Sequence, residues 1–481
     1  MRIGRREFLA GSIGAGVALA ATASSYGRIL GSNGKPRLAV IGLNGRGGDH
    51  ISGLKDNIVA LCDCDEAVLD NRIAGFGSTG ISKLTDFRKL LESSEIDCVS
   101  IATPNHTHSL IAMHAMLAGK DVYLEKPVSH NVWEGRQLVA AAAKLNRICQ
   151  CGTQSRSSPS LQEAVEFVRA GNLGGIQYAI GTCYKPRMSI GKTAEPLKIP
   201  SSIDYDLWCG PAEKRDLFRP QLHYDWHWDF NTGNGDMGNQ GIHQMDIARW
   251  FLGETQVSPR VISIGARLGY VDAGDTPNTQ VVLHDYSIAP LIFETRGLPK
   301  DKASQESAKT WSANMDTHRG SRVGVIVQCD HGHVVIPNYS SATAFGENGE
   351  KVKEWNGDGD HYANFLDAVL ARDASKLNAP IIEGHLSSAL CHTGGISHQA
   401  GKLATVAEIK QAINSDLLFL ESFERMIQHL TENGVDLNGE TVLTLGAELR
   451  MDGVSETIGN NPTASRKLTR EYRRQFEFPT F

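Results

Sequence analysis

The sequence predicts an α/β protein: a doubly wound parallel sheet first, then a second domain containing antiparallel strands. Three observations predict it. The apolar run Arg37-Leu38-Ala39-Val40-Ile41 feeds directly into a glycine-rich turn, Gly42-Leu43-Asn44-Gly45-Arg46-Gly47. Strand-like and helix-like segments then alternate to residue 153, as a parallel sheet with crossover helices requires. Beyond Gly253 the pattern becomes short alternating runs, such as Arg260-Val261-Ile262-Ser263-Ile264, Gln280-Val281-Val282-Leu283-His284 and Gly324-Val325-Ile326-Val327-Gln328. A chain of 481 residues exceeds what one core organises, so at least two domains follow.

Residues 1–32 stand apart. Arg5-Arg6-Glu7-Phe8-Leu9 is a twin-arginine pair with an apolar follower, and Gly11 to Ala23 is a small-residue apolar stretch too short to span a bilayer. Ala18-Leu19-Ala20 and Ala21-Thr22-Ala23 offer small-x-small cleavage sites. The segment predicts a twin-arginine signal, an exported or periplasmic mature protein, and no membrane attachment once it is removed. Net charge is -6 with 21% charged residues, which supplies no basic footprint for nucleic acid. Nine cysteines are scattered without a dense framework and read as buried small hydrophobes. Neither their spacing nor the loop histidines predict a metal site.

The nucleotide domain is read over 33–153. Gly42 permits the tight bend after the first strand, Gly47 lets the next helix pack, and that helix's free N–H groups face a pyrophosphate. Asn44 stands where the fingerprint prefers glycine; asparagine tolerates a left-handed backbone, and Gly45 adjoins it. The second strand, 57–63, ends in Asp63, about twenty residues past the first glycine, where a carboxylate binds ribose hydroxyls. That carboxylate repels a 2′-phosphate and Cys64 follows it, so NAD is predicted ahead of NADP, although Arg46 is available to a phosphate. A strand over 96–102 leads into Thr103-Pro104-Asn105-His106-Thr107-His108, where Thr103, Pro104, Asn105 and His108 are cofactor-side candidates. After a helix over 109–118, the run Asp121-Val122-Tyr123-Leu124 ends in Glu125-Lys126-Pro127 at the carboxyl edge of the sheet. A lysine there, its pKa lowered by burial or a nearby cation, suits removal of a hydroxyl proton while hydride leaves the same carbon.

These residues, with Gly241-Ile242-His243-Gln244-Met245-Asp246-Ile247-Ala248-Arg249-Trp250, resemble the Gfo/Idh/MocA oxidoreductases over roughly residues 36–400. The resemblance implies an N-terminal Rossmann domain and a C-terminal α/β domain with a large open sheet, the active site between them. It implies a sugar, polyol or sugar-derivative substrate, Lys126 and His243 as acid/base groups, and self-association as a dimer or tetramer through the open sheet. Asn239 falls where the dehydrogenases place an aspartate. With helical i, i+4 spacing, Asn239 and His243 share a face, and Asp236, one turn earlier, is the candidate replacement acid.

The second domain is read over 154–400, its helices at 361–400 packing back on the first, with an extension over 401–481 that holds a helix near 415–433. Gln154 and Arg156 enter the crevice between domains, and Asp246 follows His243 one turn on. Tyr205, Trp208, His223, Trp226 and Trp228 form an aromatic, histidine-rich patch of the kind that covers apolar sugar faces; it reads equally as packing under a long loop. Two further chemistries stay open: a redox-neutral glycoside cleavage through transient sugar oxidation with recycled NAD, and a sugar-binding protein without catalysis.

Overall fold

The computed structural model describes residues 34–77, 80–438 and 442–481. The predicted signal segment, 1–32, lies outside them. The first domain is a six-stranded parallel sheet of β1 (Leu38–Ile41), β2 (Ile58–Cys62), β3 (Ser82–Leu84), β4 (Cys98–Ile101), β5 (Asp121–Leu124) and β6 (Cys149–Cys151). The order is β3-β2-β1-β4-β5-β6, so its direction reverses between β1 and β4 and opens a crevice beyond their carboxyl ends. The crossover helices are α1 (Arg46–Gly53), α2 (Glu66–Ala74), α3 (Phe87–Leu91), α4 (Asn105–Leu117) and α5 (Val132–Lys144). Asp65, Asp86 and Asn131 cap α2, α3 and α5 with side-chain oxygens, which fixes where each helix begins.

The second domain carries α6 (Pro159–Arg169), β7 (Ile176–Tyr184), α7 (Tyr205–Cys209), α8 (Ile242–Leu252), β8 (Arg260–Ala266), β9 (Thr279–His284), β10 (Leu291–Arg296) and α9 (Ala308–Ala313). β11 (Val323–Cys329), β12 (Gly332–Ile336), β13 (Ser341–Gly346), β14 (Lys351–Asn356), α10 (His361–Ala371) and α11 (Ile381–Gln399) follow. The extension adds β15 (Lys402–Ala404), α12 (Val406–Ala412), α13 (Leu417–Glu432), β16 (Leu443–Leu445) and β17 (Leu449–Arg450). These strands form one eleven-stranded sheet, antiparallel throughout except where β10 meets β7. β7, which the motifs do not announce, lies mid-sheet between β10 and β11.

Alternation along the strands gives the sheet two apolar faces. Val261, Val282 and Phe293 pack on one face under Met245 and Phe251 of α8 and Leu390 of α11. α11 also packs on α5 and so joins the domains. On the other face Ile180, Ile262, Ile264, Val281, Leu283 and Ile292 lie under Phe419, Phe423, Met426 and Leu430. Those four residues recur at spacings of four, three and four along α13, the stripe of an amphipathic helix. The face expected from the resemblance to be open for self-association is therefore covered by the chain's own extension. Residues 466–481 then run back as a strap to the nucleotide domain. Tyr472 Oη–H donates to Glu134 (3.0 Å), Phe478 packs on Trp133 with ring centres 5.4 Å apart, and Phe481 N–H donates to Gln137 (2.7 Å). Among the described residues no helix is long and apolar enough to cross a membrane, and all nine cysteines are free, eight of them buried.

Candidate active site

The turn after β1 is built for close approach. A Cβ on Gly42, whose φ is 82°, would lie 2.7 Å from Thr103 N, and one on Gly47 would lie 2.0 Å from the Gly42 carbonyl. Gly45 differs: its φ is 50° and a Cβ there would meet nothing within 4 Å, so the backbone faces open space. The left-handed position is thus Gly45, not Asn44, whose Oδ1 accepts the Gly45 N–H (3.0 Å). No side chain caps α1; the Gly47 and Gly48 N–H groups donate to the Asn44 (3.1 Å) and Gly45 (2.9 Å) carbonyls, and the positive end of the helix faces an anion through its dipole. Asp63 accepts N–H bonds from Leu43 (2.8 Å) and Asp65 (2.9 Å); burial nevertheless raises its pKa. A carboxylate offers about four lone-pair sites, so two remain for ribose hydroxyls. Arg46 turns to Glu125 (2.8 Å) and Asp49 (3.0 Å), and its charge is taken up there instead of at a 2′-phosphate. The uncapped helix, the open glycine and the carboxylate fit NAD.

At the end of β5, Glu125 is held from several sides. Burial alone would raise its pKa, but Arg46, His50 (3.1 Å) and the Lys126 charge hold it well below the usual carboxylate range. Gly152 leaves room for it, since a Cβ there would lie 2.9 Å from the carboxylate. The Lys126–Pro127 peptide is cis. Lys126 Nζ donates to the Asn239 carbonyl at 2.6 Å. Burial lowers the Lys126 pKa, Glu125 opposes that, and Arg46 adds to it.

The opposite wall begins with a π-helix, Met237–Gly241, that runs into α8. Such a widened turn recurs at functional sites, and it alters the i, i+4 register expected for Asn239 and His243. Asn239 Nδ2 donates to Asp236 (3.3 Å) rather than meeting His243. Asp236 is not a free acid: it is 2% exposed and takes a two-pronged bond from Arg187 at 2.9 and 2.8 Å. His243 is 6% exposed, its Nδ1 has no partner, and Tyr339 packs on its ring with centres 4.8 Å apart. Burial first, and the Lys126 charge second, push its pKa well below the ordinary histidine value.

Sequence reasoning missed several neighbours. Gln240 donates to Tyr339 Oη (2.6 Å) and accepts from Lys185 Nζ (3.1 Å). His227 feels the charges of Lys126 and Arg187, and burial lowers its pKa to about 3. Lys185 and Arg187 come from the end of β7 and the loop after it, and Tyr339 from the turn after β12. The Lys185-Pro186-Arg187 pair of cations was the available signal.

Other expected site residues serve elsewhere. Both ring nitrogens of His108 lie against carbonyls, Pro127 O (2.7 Å) and Thr103 O (2.6 Å), and its N–H donates to one of them, so it braces the two cofactor-side loops instead of lining the ligand. Pro104 caps α4, and Asn105 donates to Asn234 (3.3 Å). Gln154 keeps a buried, unpartnered Oε1. Arg156 and Asp246 bond each other at 3.0 Å within a buried cluster with Glu383, Arg249 and Ser387, which leaves neither for substrate. Tyr205 and Trp208 belong to an apolar cluster with Ile203, Cys209, Leu217 and Leu222 under the long loop. His223 reaches Asp65 (3.1 Å) on the nucleotide domain, Trp226 stacks on His227 at 3.6 Å, and Trp228 is buried under Arg187. Among the described residues no group of three metal-ligating side chains forms.

Residues 36–153 match the family described as an oxidoreductase family with an NAD-binding Rossmann fold, and residues 175–303 match its C-terminal alpha/beta domain. Levoglucosan dehydrogenase of Pseudarthrobacter phenanthrenivorans is 23% identical over 46% of this chain and 53% of its own length. Inositol 2-dehydrogenase 1 of Saccharopolyspora erythraea is 29% identical over 29% of this chain and 42% of its own. The chain thus spans about half the length of these curated relatives. Among solved structures, the WlbA dehydrogenase from Bordetella pertussis, in complex with NADH and UDP-GlcNAcA, aligns with TM-score 0.53 at 17% identity, over 74% of this chain and 94% of that one. At that identity the likeness is one of fold.

Proposed function

Since the chain belongs to the Gfo/Idh/MocA oxidoreductase family, we propose that it oxidises one carbinol carbon of a sugar, polyol or sugar derivative, or reduces the corresponding carbonyl. One observation carries this: Lys126, half-buried with its Nζ fixed on the Asn239 carbonyl at 2.6 Å, and His243, buried with an unpartnered Nδ1, meet at the mouth of a dinucleotide cradle, where the lysine charge acts on the imidazole. NAD in that cradle supplies the hydride acceptor. Lys126, biased toward its neutral amine by burial, takes the hydroxyl proton as the C–H bond breaks. Its bond to the Asn239 carbonyl fixes the amine in place. His243, held neutral, gives the hydroxyl a second hydrogen-bond partner, and Gln240, Lys185 and Tyr339 offer polar atoms to neighbouring hydroxyls. Asn239 has no acid to offer, so proton transfer falls to Lys126 and His243. The twin-arginine pair supports export of the folded protein with NAD already bound.

The test is purification of the full chain, assay of bound NAD(H) by absorbance, and turnover on a panel of inositols, anhydrosugars, hexoses and glycosides. Lys126→Met is expected to keep NAD and lose about 10²- to 10⁴-fold in kcat, the range for a general base. Turnover undiminished by K126M, or no NAD binding at all, overturns the proposal. Glycoside cleavage without change in the cofactor replaces net oxidation by the redox-neutral route, and sugar binding without turnover replaces both by a binding protein.

A further inference from the structure

A concavity apart from the crevice lies between α11, the 229–234 loop and the start of the strap. Its volume is about 230 Å³, below the roughly 300–1,000 Å³ of drug-sized pockets, so it suits a molecule of a few heavy atoms. Arg466, Lys467 and Arg470 line it with Asn231, Asn234 and His392, and none of its lining residues is an aspartate or glutamate.

Arg470 is half-buried and unusual in its partners. Most inward-facing arginines elsewhere form ion pairs: Arg156 with Asp246, Arg187 with Asp236, Arg249 with Glu383 and Arg296 with Asp316, while Arg147 bonds the Leu145 and Gly119 carbonyls. Arg470 has only neutral acceptors, Asn231 Oδ1 (2.9 Å), Asn231 O (3.2 Å) and His130 Nδ1 (3.4 Å), and its Nε is buried without a partner. Glu134, Asp229 and Glu213 act on it only through space, so a guanidinium largely withdrawn from water has no ion-pair partner of its own, a place that a bound anion would fill. His392 adds no charge of its own: burial lowers its pKa to about 3, and its ring nitrogens face Asn234 (3.4 Å) and Ser129 (3.1 Å).

We infer that this cavity binds a small metabolite bearing a phosphate or carboxylate group, clasped by Arg470 from within and by Arg466 and Lys467 at the rim. The site is separate from the crevice, yet Asn234 on its wall also receives the Asn105 bond from the cofactor-side loop. Occupancy is therefore felt one bond away from the dinucleotide cradle.

Calorimetric titration of the NAD-loaded full chain with inorganic phosphate, and separately with malonate, tests this. Saturable binding of one anion per chain is expected, weakened at least about tenfold in Arg466→Gln/Lys467→Gln, with sugar turnover unchanged. That double variant leaves the Arg470 bonds intact, so its folding is not at issue. Lys185→Gln, in the crevice, is expected to leave anion affinity untouched. Preference for phosphate over malonate, or the reverse, names the ligand's acid group. Absence of saturable binding by either anion, equal affinity in R466Q/K467Q, or loss of binding in K185Q alone overturns the inference.

Discussion

Asp236 shows how a residue of the right type at the right spacing takes a different job. Its carboxylate answers Arg187, whose guanidinium lies over the Trp228 ring at 5.4 Å, so it positions the crevice wall with its charge committed to that cation. Removing the charge by Asp236→Asn strands a buried arginine, which is expected to cost about 3–5 kcal/mol and to show as a lower melting temperature. The pH profile distinguishes the roles. kcat/KM for alcohol oxidation should rise with pH through a limb set by Lys126, at a pH below the ordinary lysine value because burial favours its neutral form. In D236N that limb should keep its position; a shifted limb would make Asp236 the proton acceptor after all. Lys126, His243, Gly42, Gly47 and Asp63 were legible because each sits in a short motif whose spacing encodes its geometry. Lys185, Arg187 and Tyr339 were not, since they arrive from β7 and the β12 turn and become neighbours only through the sheet.

Among the elements, the β1 turn and the helix after it carry the most exact demand. A methyl group at position 47 would sit 2.0 Å from the Gly42 carbonyl, an overlap that backbone movement alone relieves. Gly47→Ala is expected to weaken NADH binding roughly tenfold or more, in line with an overpacking cost of about 1–3 kcal/mol, as read by fluorescence titration. The π-helix is the converse case. The sequence around Asn239 reads as ordinary helix, and only packing discloses the wider turn, because nothing in Met237-Gly238-Asn239-Gln240-Gly241 marks i, i+5 bonding locally. In the nucleotide domain β1, β2, β4 and β5 were legible to within a residue or two, since buried parallel strands are continuous apolar runs, whereas the edge strand β3, Ser82-Lys83-Leu84, has no such run and was not read. β7 escaped notice for want of a motif.

For the whole molecule, buried histidines set the acid limit. Burial lowers His106 and His114 from 6.5 to about 4, and His227, His284 and His392 from 6.5 to about 3. Below pH 6.5 the unfolded chain gains protons at these sites while the folded chain does not, so stability falls as pH drops from 6.5 toward 3–4. At pH 5 each contributes a loss of up to about 2 kcal/mol, together comparable with a typical total of about 5–15 kcal/mol. Glu125 and Glu294, held below their ordinary 4.5, add a further loss as pH falls beneath that value. Melting temperature should therefore be highest above pH 6.5 and drop steeply between 6 and 4.5; a flat profile from 7 to 5 would contradict the burial of these rings. The 401–481 region was the least legible, because its role is to cover surfaces made by residues far away in the chain. Translation delivers the nucleotide domain early and α13 with the strap late, so a nascent chain exposes a bare greasy slab until its final stretch docks. Any chaperone that holds it is in effect waiting for α13 and the strap to seat.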